Sequence, residues 1–534
     1  MRRIPTAAAA LAITALALSA CGSSEADPAA AADRDTLTMP ADDARCTENK
    51  AGGTITMGTY VMLPSFSPGQ GQVGVRGGAE SAAVYDRLVR WDARTETFEP
   101  KLAESLESSE DHTVWTLTLR EGVTFSNGDP LTAQDVAFTM GLHKDPATRS
   151  TAMTDVQQIE RTRVVDPLTV EFTLAEPWST FPVLLAGSAG EVIPEKAYTE
   201  AGPEKWAREP VGAGAFTLAS YTPNQEIVLE PNPDYYGGPV CLTLRFIQIP
   251  GSQSTLEAFQ NDEVEVAFLR GSKFADMARE ADAQGYEEIT SAGRLIYMNN
   301  GAAGYDGILT DQRARRAVTH AIDRELLLGR LGDDPAQATS ALLADSSRFF
   351  DGQEGPALDV ERATELVTEL KQETGWDGSL TLLVSDVPEN REAGIVIKAM
   401  LDAVGFDVTV EVAPASAASA RQFTGDYEMA IGGLATSDAD PASTLASSLM
   451  PGGALNVSGV DDPAFADAIS TLKAAPDVDS QKKAYTDLQE VHNEVAPYAV
   501  LGNGVELVTI DESVRGISPT TSSTMLFDGA FIEE

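Results

Sequence analysis

Trp115-Thr116-Leu117-Thr118-Leu119-Arg120-Glu121-Gly122-Val123-Thr124-Phe125, followed closely by Asn127-Gly128-Asp129-Pro130 and Leu131-Thr132-Ala133-Gln134-Asp135-Val136, joins three local signals in one run. Trp115, Leu117 and Leu119 alternate with threonines, so an extended chain turns one apolar face to a core and a polar face outward. Asn127 to Pro130 is turn chemistry. From Leu131 to Met140 the pattern becomes helical, with Thr132 placed as N-cap. Strand, turn and helix in succession is the unit of an α/β lobe.

The same alternation recurs on both sides of this run. Val170, Phe172 and Leu174 carry it, as do Leu242, Leu244 and Phe246, then Val264, Val266 and Phe268. Thr54 to Thr59 opens the body as a strand, and Ser254 to Gln260 reads as a short helix. Asp311 to Leu328 places Val318, Ala321, Ile322 and Leu326 on one stripe and predicts one amphipathic helix. Arg391 to Val404 predicts another, stopped by Gly405 in a positive-φ conformation. Val408, Val410 and Val412 then predict a strand, and Tyr427 to Gly433 a further one. No internal repeat is visible, and the alternation of helices with strands selects the α/β class.

The N-terminus has the layout of an export signal. Arg2 and Arg3 precede an apolar stretch from Ala7 to Leu18, and Leu18-Ser19-Ala20-Cys21-Gly22 follows. Small residues ahead of a cysteine resemble a bacterial lipobox, which implies a signal peptide over residues 1–20 and lipidation of Cys21. Residues 21–50 then read as the lipidated cysteine and a flexible, Ala-, Ser- and Asp-rich tether. No later stretch reaches the length a membrane span needs. The 534 residues, 43% of them hydrophobic, are enough for more than one lobe. A formal net charge of −43 repels nucleic acid, so a nucleic-acid partner is disfavoured. Of three cysteines, Cys46 and Cys241 remain once Cys21 carries lipid. An even number outside the cytosol predicts a disulfide, two buried free thiols being the alternative.

Together these residues resemble the extracellular solute-binding proteins of the peptide- and nickel-uptake importer family. The resemblance is carried by Ser65-Phe66-Ser67-Pro68, Tyr85-Asp86-Arg87-Leu88-Val89-Arg90, Phe98 to Ser105 and the run from Trp115 to Val136. It continues in Pro210-Val211-Gly212-Ala213-Gly214-Ala215-Phe216 and in Leu229 to Gly238, which holds Asn232-Pro233-Asp234-Tyr235-Tyr236. Asp311 to Val318, with Ala321-Ile322-Asp323-Arg324, completes it. The resemblance implies a type-II periplasmic-binding-protein fold with two lobes, an inserted subdomain and a deep interlobe cleft. Lobe I would span 51–295, with the insert at about 86–205, and be completed by 498–534; lobe II would span 296–497. Hinge strands would cross near Ser291 to Tyr297 and Ala496 to Leu501.

It also implies a cleft lined by Tyr60, Met62 and Phe66 from lobe I. Lobe II would contribute Met298-Asn299-Asn300 and Gly433, Leu434, Ala435, Ser437 and Asp438. In the family's peptide binders the last segment reads Gly-Trp-x-x-Asp-x-x-[Asp/Glu]-Pro, its backbone pairing with an extended peptide and its first aspartate meeting the peptide ammonium. Here Leu434 replaces the tryptophan and Ser437 the aspartate, with Asp438 one position on. Asp440-Pro441 fits the pattern as a turn. Peptide is the expected solute; a modified peptide, a sugar, a metal chelate or a sensory role are the alternatives. Tyr60, Phe66, Trp178 and Tyr297 read either as cleft wall or as core packing.

An enzyme reading rests on Ser470-Thr471-Leu472-Lys473, a Ser-x-x-Lys match whose companion motifs are absent. Gly212-x-Gly214 lacks the third glycine of a dinucleotide fingerprint. His112, His143, His320 and His492 are too scattered for a zinc motif. The expectation is therefore a monomeric binding protein with no cofactor and no protein-ligated metal, anchored by lipid alone outside the cytoplasm. Its partners would be the ligand and the permease subunits of an ABC importer.

Overall fold

In the computed structural model, which describes residues 37–39, 45–47, 52–70 and 78–533, the deciding run folds as the strand Val114–Leu119, a turn and the helix Ala133–Lys144. Residues 1–20 and Cys21 lie outside the described residues. Trp115, Leu117 and Leu119 are buried and the threonines between them half-buried. Thr132 caps the helix reciprocally: its N–H donates to Asp135 Oδ2 at 3.0 Å, and Asp135 N donates to Thr132 Oγ1 at 3.4 Å. The strand sits inside a four-stranded antiparallel sheet, between Ala103–Ser108 and Thr169–Leu174, with Ile159–Asp166 outermost.

A separate ten-stranded sheet organises the rest. One end holds Asp407–Ala413, Ser379–Ser385 and Met429–Gly432, the other Val266–Arg270, Thr54–Thr59, Thr243–Gln248, Glu226–Pro231 and Phe216–Thr222. Between them run two long antiparallel strands, Gln284–Met298 and Tyr498–Ile510. Each end packs its own cores, so the crossing strands join two lobes. Ile55, Phe246 and Val508 lie in a core of one lobe, and Ile296, Leu382 and Ile397 in a core of the other.

Two local expectations change. Val266–Arg270 was expected to have a solvent face, yet Val266, Ala267, Phe268 and Leu269 are all buried. As an inner strand it feeds Val266 and Phe268 into one core while Ala267 and Leu269 enter packing on the opposite side. The single helix expected over Asp311 to Leu328 is two helices, Gln312–Ala321 and Arg324–Leu331. Ile322 is extended, and the Asp323 side chain caps the second helix by accepting from Leu326 N at 3.0 Å. The break frees carbonyls that the buried Arg324 guanidinium takes: Thr319 O and Ile322 O at 3.2 Å each, with Val500 O at 2.8 Å.

The sequence signatures of lobe one converge physically. A Cβ on Gly212 would lie 2.0 Å from Val84 O, and one on Gly214 2.3 Å from Ala83 O, so only glycine allows this backbone approach. Asn232 Nδ2 donates to Gly214 O at 2.9 Å. Asp86 accepts from Tyr235 and Tyr236 hydroxyls at 3.0 Å each and pairs with Lys101 Nζ at 2.7 Å. Lys101 also reaches Asp528 at 3.7 Å, and Arg45 pairs with Asp528 at 2.7 Å. Burial pushes the Asp528 carboxyl up, but Lys101 and Arg45 outweigh it and hold it down at about 2. Beside this knot Cys46 and Cys241 form a disulfide, Cα–Cα 5.8 Å, closing a loop across 195 residues. Loop-closure entropy makes such a link worth about 5 kcal/mol.

Candidate functional site

The lobe boundary is a bulge in the crossing strands. Their register slips between Thr290 and Leu295, and buried Ala292 takes φ +50°. Gly293 and Gly504 touch so closely that a Cβ on Gly293 would sit 2.1 Å from Gly504 N. Against this bulge lies the segment from Gly433. Leu434 N donates to Ala292 O and Thr436 N to Ser291 O, both at 3.0 Å, and Ser291 N returns a bond to Thr436 O at 3.1 Å. Between these two bonded residues Ala435 turns out of the extended line, with φ +50°. The segment ends at Asp440, which caps the helix Pro441–Leu449 by accepting from Ala442 N at 3.1 Å. Asp440-Pro441 therefore shapes a turn.

Between Thr436 and Asp440 two carboxylates meet the loop differently. Asp438 accepts from Ser347 Oγ, from Arg348 N at 3.1 Å, and lies 3.9 Å from Arg348 Nε. The same guanidinium donates to Asp438 O at 3.3 Å and Ala439 O at 3.1 Å. It stacks between Phe349 of its own lobe, 4.4 Å away, and Trp91 of lobe one, 4.7 Å away. Asp438 is thus held within the protein. Ser437, by contrast, donates its hydroxyl to Glu288 Oε1 at 2.8 Å. Glu288 belongs to the crossing strand, is buried, and also accepts from Ser523 N at 2.7 Å and Ser523 Oγ at 3.2 Å. Burial pushes its carboxyl up to about 7, the bond from Ser437 opposing and neighbouring Glu506 reinforcing the shift. Glu288 and Ser437 line a cavity of about 200 Å³ with Trp91, Glu96, Tyr286 and Asp438. A second cavity, about 160 Å³, lies at the bulge beside Ala435, Arg270, Thr290 and Glu506.

The other expected site residues divide. Tyr60 is half-buried beneath the Arg270 guanidinium, 5.6 Å from its ring centre. Met62 and Phe66 are buried in the core of lobe one, and Met298 in that of lobe two. Asn299 is buried and ties the strand end to lobe two, donating to Tyr427 O at 2.9 Å and Gly425 O at 3.1 Å. Asn300 donates to Met298 O at 2.8 Å, and Leu434 packs against a lobe-two core. Tyr297 is core, its hydroxyl donating to Gly433 O at 3.0 Å. Sequence reasoning passed over Glu288, Arg348, Trp91 and the Arg270–Glu506 pair. The one available signal was an acidic pair, Glu287-Glu288, inside a stretch that pairs as strand.

The lobes also meet away from the bulge. Ser179 N donates to Lys473 O at 3.0 Å, Ser470 Oγ to Glu176 at 3.2 Å, and Lys473 Nζ sits 4.5 Å from the Trp178 ring centre. Ser470 and Lys473, the residues of the Ser-x-x-Lys pattern, are thus engaged in the seam between lobes.

Two lobes joined by crossing strands, with a cavity at the crossing, define a binding protein. Residues 97–456, more than half of the chain, match the family described as bacterial extracellular solute-binding proteins, family 5 Middle, and the chain belongs to that family. It is 24% identical to the dipeptide-binding protein of Escherichia coli (strain K12) over 483 residues, covering 84% of this chain and 89% of that protein. It shares its fold with the dipeptide-binding protein from Pseudoalteromonas sp. SM9913 solved with Met-Leu: TM-score 0.77, 20% identity, 90% of this chain and 100% of the other. The same holds for the periplasmic binding protein DppA from Helicobacter pylori solved with the peptide STSA: TM-score 0.75, 24% identity, 91% and 99% covered. Among the described residues no helix is long and apolar enough to cross a membrane, and no His/Cys/Asp/Glu cluster is placed to hold a metal.

Proposed function

We propose that this solute-binding protein captures peptides at the lobe boundary and delivers them to the permease of an ABC importer, held at the outer face of the cell membrane by lipid on Cys21. The observation that carries the reading is a cavity walled by both lobes, with Trp91 and Glu288 on one side and Ser437 and Asp438 on the other, in a chain whose relatives include a dipeptide-binding protein. A ligand touching Trp91 and Glu288 on one side and Ser437 on the other interacts more strongly when the lobes are together, and so shifts the population to the closed state. The bulge at Thr290–Arg294, faced by Gly502 and Gly504, is where the chain would flex. The protein acts as a monomer and changes no covalent bond in its solute; permease and ATPase supply the transport step.

The test is native mass spectrometry of the soluble body, from about Asp43 onward, purified from rich medium. Bound mass that fragments as a peptide ladder is the expected result. A non-peptide adduct, or a body that stays empty when offered a peptide mixture, overturns the peptide assignment.

A further inference from the structure

A buried carboxylate needs a proton or a counter-cation. Glu288 has polar partners but, among the described residues, no lysine or arginine pairs with it; the groups acting on it are Ser437, Ser523 and Glu506. Glu506 lies directly opposite it on the neighbouring strand, and Arg270, next in the same row, pairs with Glu506. Arg348, beside the cavity, is committed to the carbonyls of Asp438 and Ala439 and to the Asp438 carboxylate. Three donors occupy Glu288, and an ionised carboxylate offers about four acceptor positions. The remaining one has the cavity beside it, whose other lining residues include the carboxylates of Glu96 and Asp438, an acidic surround that favours a cation.

We propose that Glu288 is the ammonium-binding group of the cleft, taking the free amino group of the ligand from the strand side where position 437 supplies only a hydroxyl. Ser437 is its positioning residue, holding the carboxylate toward the loop. This assignment rests on the peptide reading and sharpens it: the substrate class is peptides with an uncapped amine. A serine in the loop and a glutamate on the crossing strand together do what one loop carboxylate could do alone. The loop then reports binding to the hinge through the Ser437–Glu288 bond.

The test is calorimetric titration of the folded body with a mixture of free-amine tri- to pentapeptides and with the same mixture N-acetylated. Wild type is expected to bind the free-amine set at least about 100-fold more tightly, the loss of a charge-assisted pair in a dry site. Glu288→Gln should remove that preference, and Ser437→Asp in the Glu288→Gln background should restore it. Equal wild-type affinity for both mixtures, or Glu288→Gln that keeps the preference, overturns the assignment while leaving the peptide reading intact. Wild type that binds neither mixture overturns both. The acetylation comparison uses no variant, so it can overturn the assignment even where Glu288→Gln fails to fold. Binding of acetylated lysine peptides alone, lost in Glu288→Gln, would support the ammonium site and assign its occupant to a side-chain amine.

Discussion

The Asp86 knot of lobe one and the lobe boundary each bury carboxylates, and they treat them in opposite ways. In the knot around Asp86, every acid has a cation at hand: Lys101 serves Asp86 and Asp528, and Arg45 serves Asp528 again. At the boundary, Glu288 is also buried and, among the described residues, has hydroxyls and one backbone N–H as its hydrogen-bond donors. A satisfied buried pair holds a shape and has no vacancy for a ligand. An acid left without its counter-ion is costly in the empty protein, and that cost is recovered when a cation enters. Among the described residues Glu80 in lobe one also has no cation acting on it, but it accepts from Leu63 N and lines no cavity with the other lobe, whereas Glu288 does.

Breaking the knot should produce the largest effects. Replacing Cys46 and Cys241 together by serine should lower stability by about 5 kcal/mol, read from the denaturant midpoint, since the link closes a long loop. Asp86→Ala should cost about 3 kcal/mol, because it removes the nearer acid of Lys101, which keeps Asp528 at 3.7 Å, and an acceptor of two tyrosine hydroxyls, and it should leave the ligand affinity of the folded fraction unchanged. A large loss of affinity in folded Asp86→Ala would mean the two regions are not separable.

Acidity sharpens the comparison. Glu80, Glu191 and Glu288 are each pushed up to about 7, burial being the leading cause. An acid raised above its unfolded value of 4.5 contributes stability that is fully present below 4.5 and is lost as pH rises through about 7. The melting temperature should therefore fall between pH 5 and pH 8, less steeply in Glu288→Gln. Asp528 has the opposite sign: its contribution is present above its ordinary 3.8 and lost as pH falls through about 2, outside that window. Ligand affinity runs against stability, rising up to about tenfold per unit from pH 5 to pH 7 as the Glu288 carboxylate becomes available to an ammonium. The charged and titratable groups facing it are Glu506 and Arg270 on the sheet, Tyr286 on its own strand, Glu96 on lobe one, and Asp438 with Arg348 on lobe two. A flat affinity profile over that range would argue against an ionised Glu288 in the complex.

The smallest effect should come from the Arg348 stack. Arg348→Ala removes the contact with Trp91 across the lobes and should weaken closure by about 1 kcal/mol, read as a larger radius of gyration for the liganded protein in solution scattering. Asp438→Ala should act through the same stack and reduce peptide affinity only a few-fold, far less than Glu288→Gln.

Much of the scaffold is legible from residues alone because its causes are local. The alternation at Trp115, Leu117 and Leu119 needs only the two-residue pleat, and the helix after it only the Thr132–Asp135 box. Where a second local force competes, legibility fails: Asp323 caps a new helix inside an unbroken apolar stripe. The site is less legible still. Ser437 marks a missing carboxylate, yet the group beside it lies 149 residues away on a strand where an acid reads as solvent-facing.

The sequence by itself determined the α/β class, the order of the lobe-one signatures, the cysteines free to pair and the absence of an aspartate at position 437. Tertiary structure alone decided that Met62, Phe66, Met298 and Asn299 are packing, that Asp438 is already engaged, and that Glu288 is buried with no cation paired to it among the described residues. The physical reason is range: periodicity and capping act within a few residues, whereas burial and charge pairing depend on which distant strands the fold lays side by side.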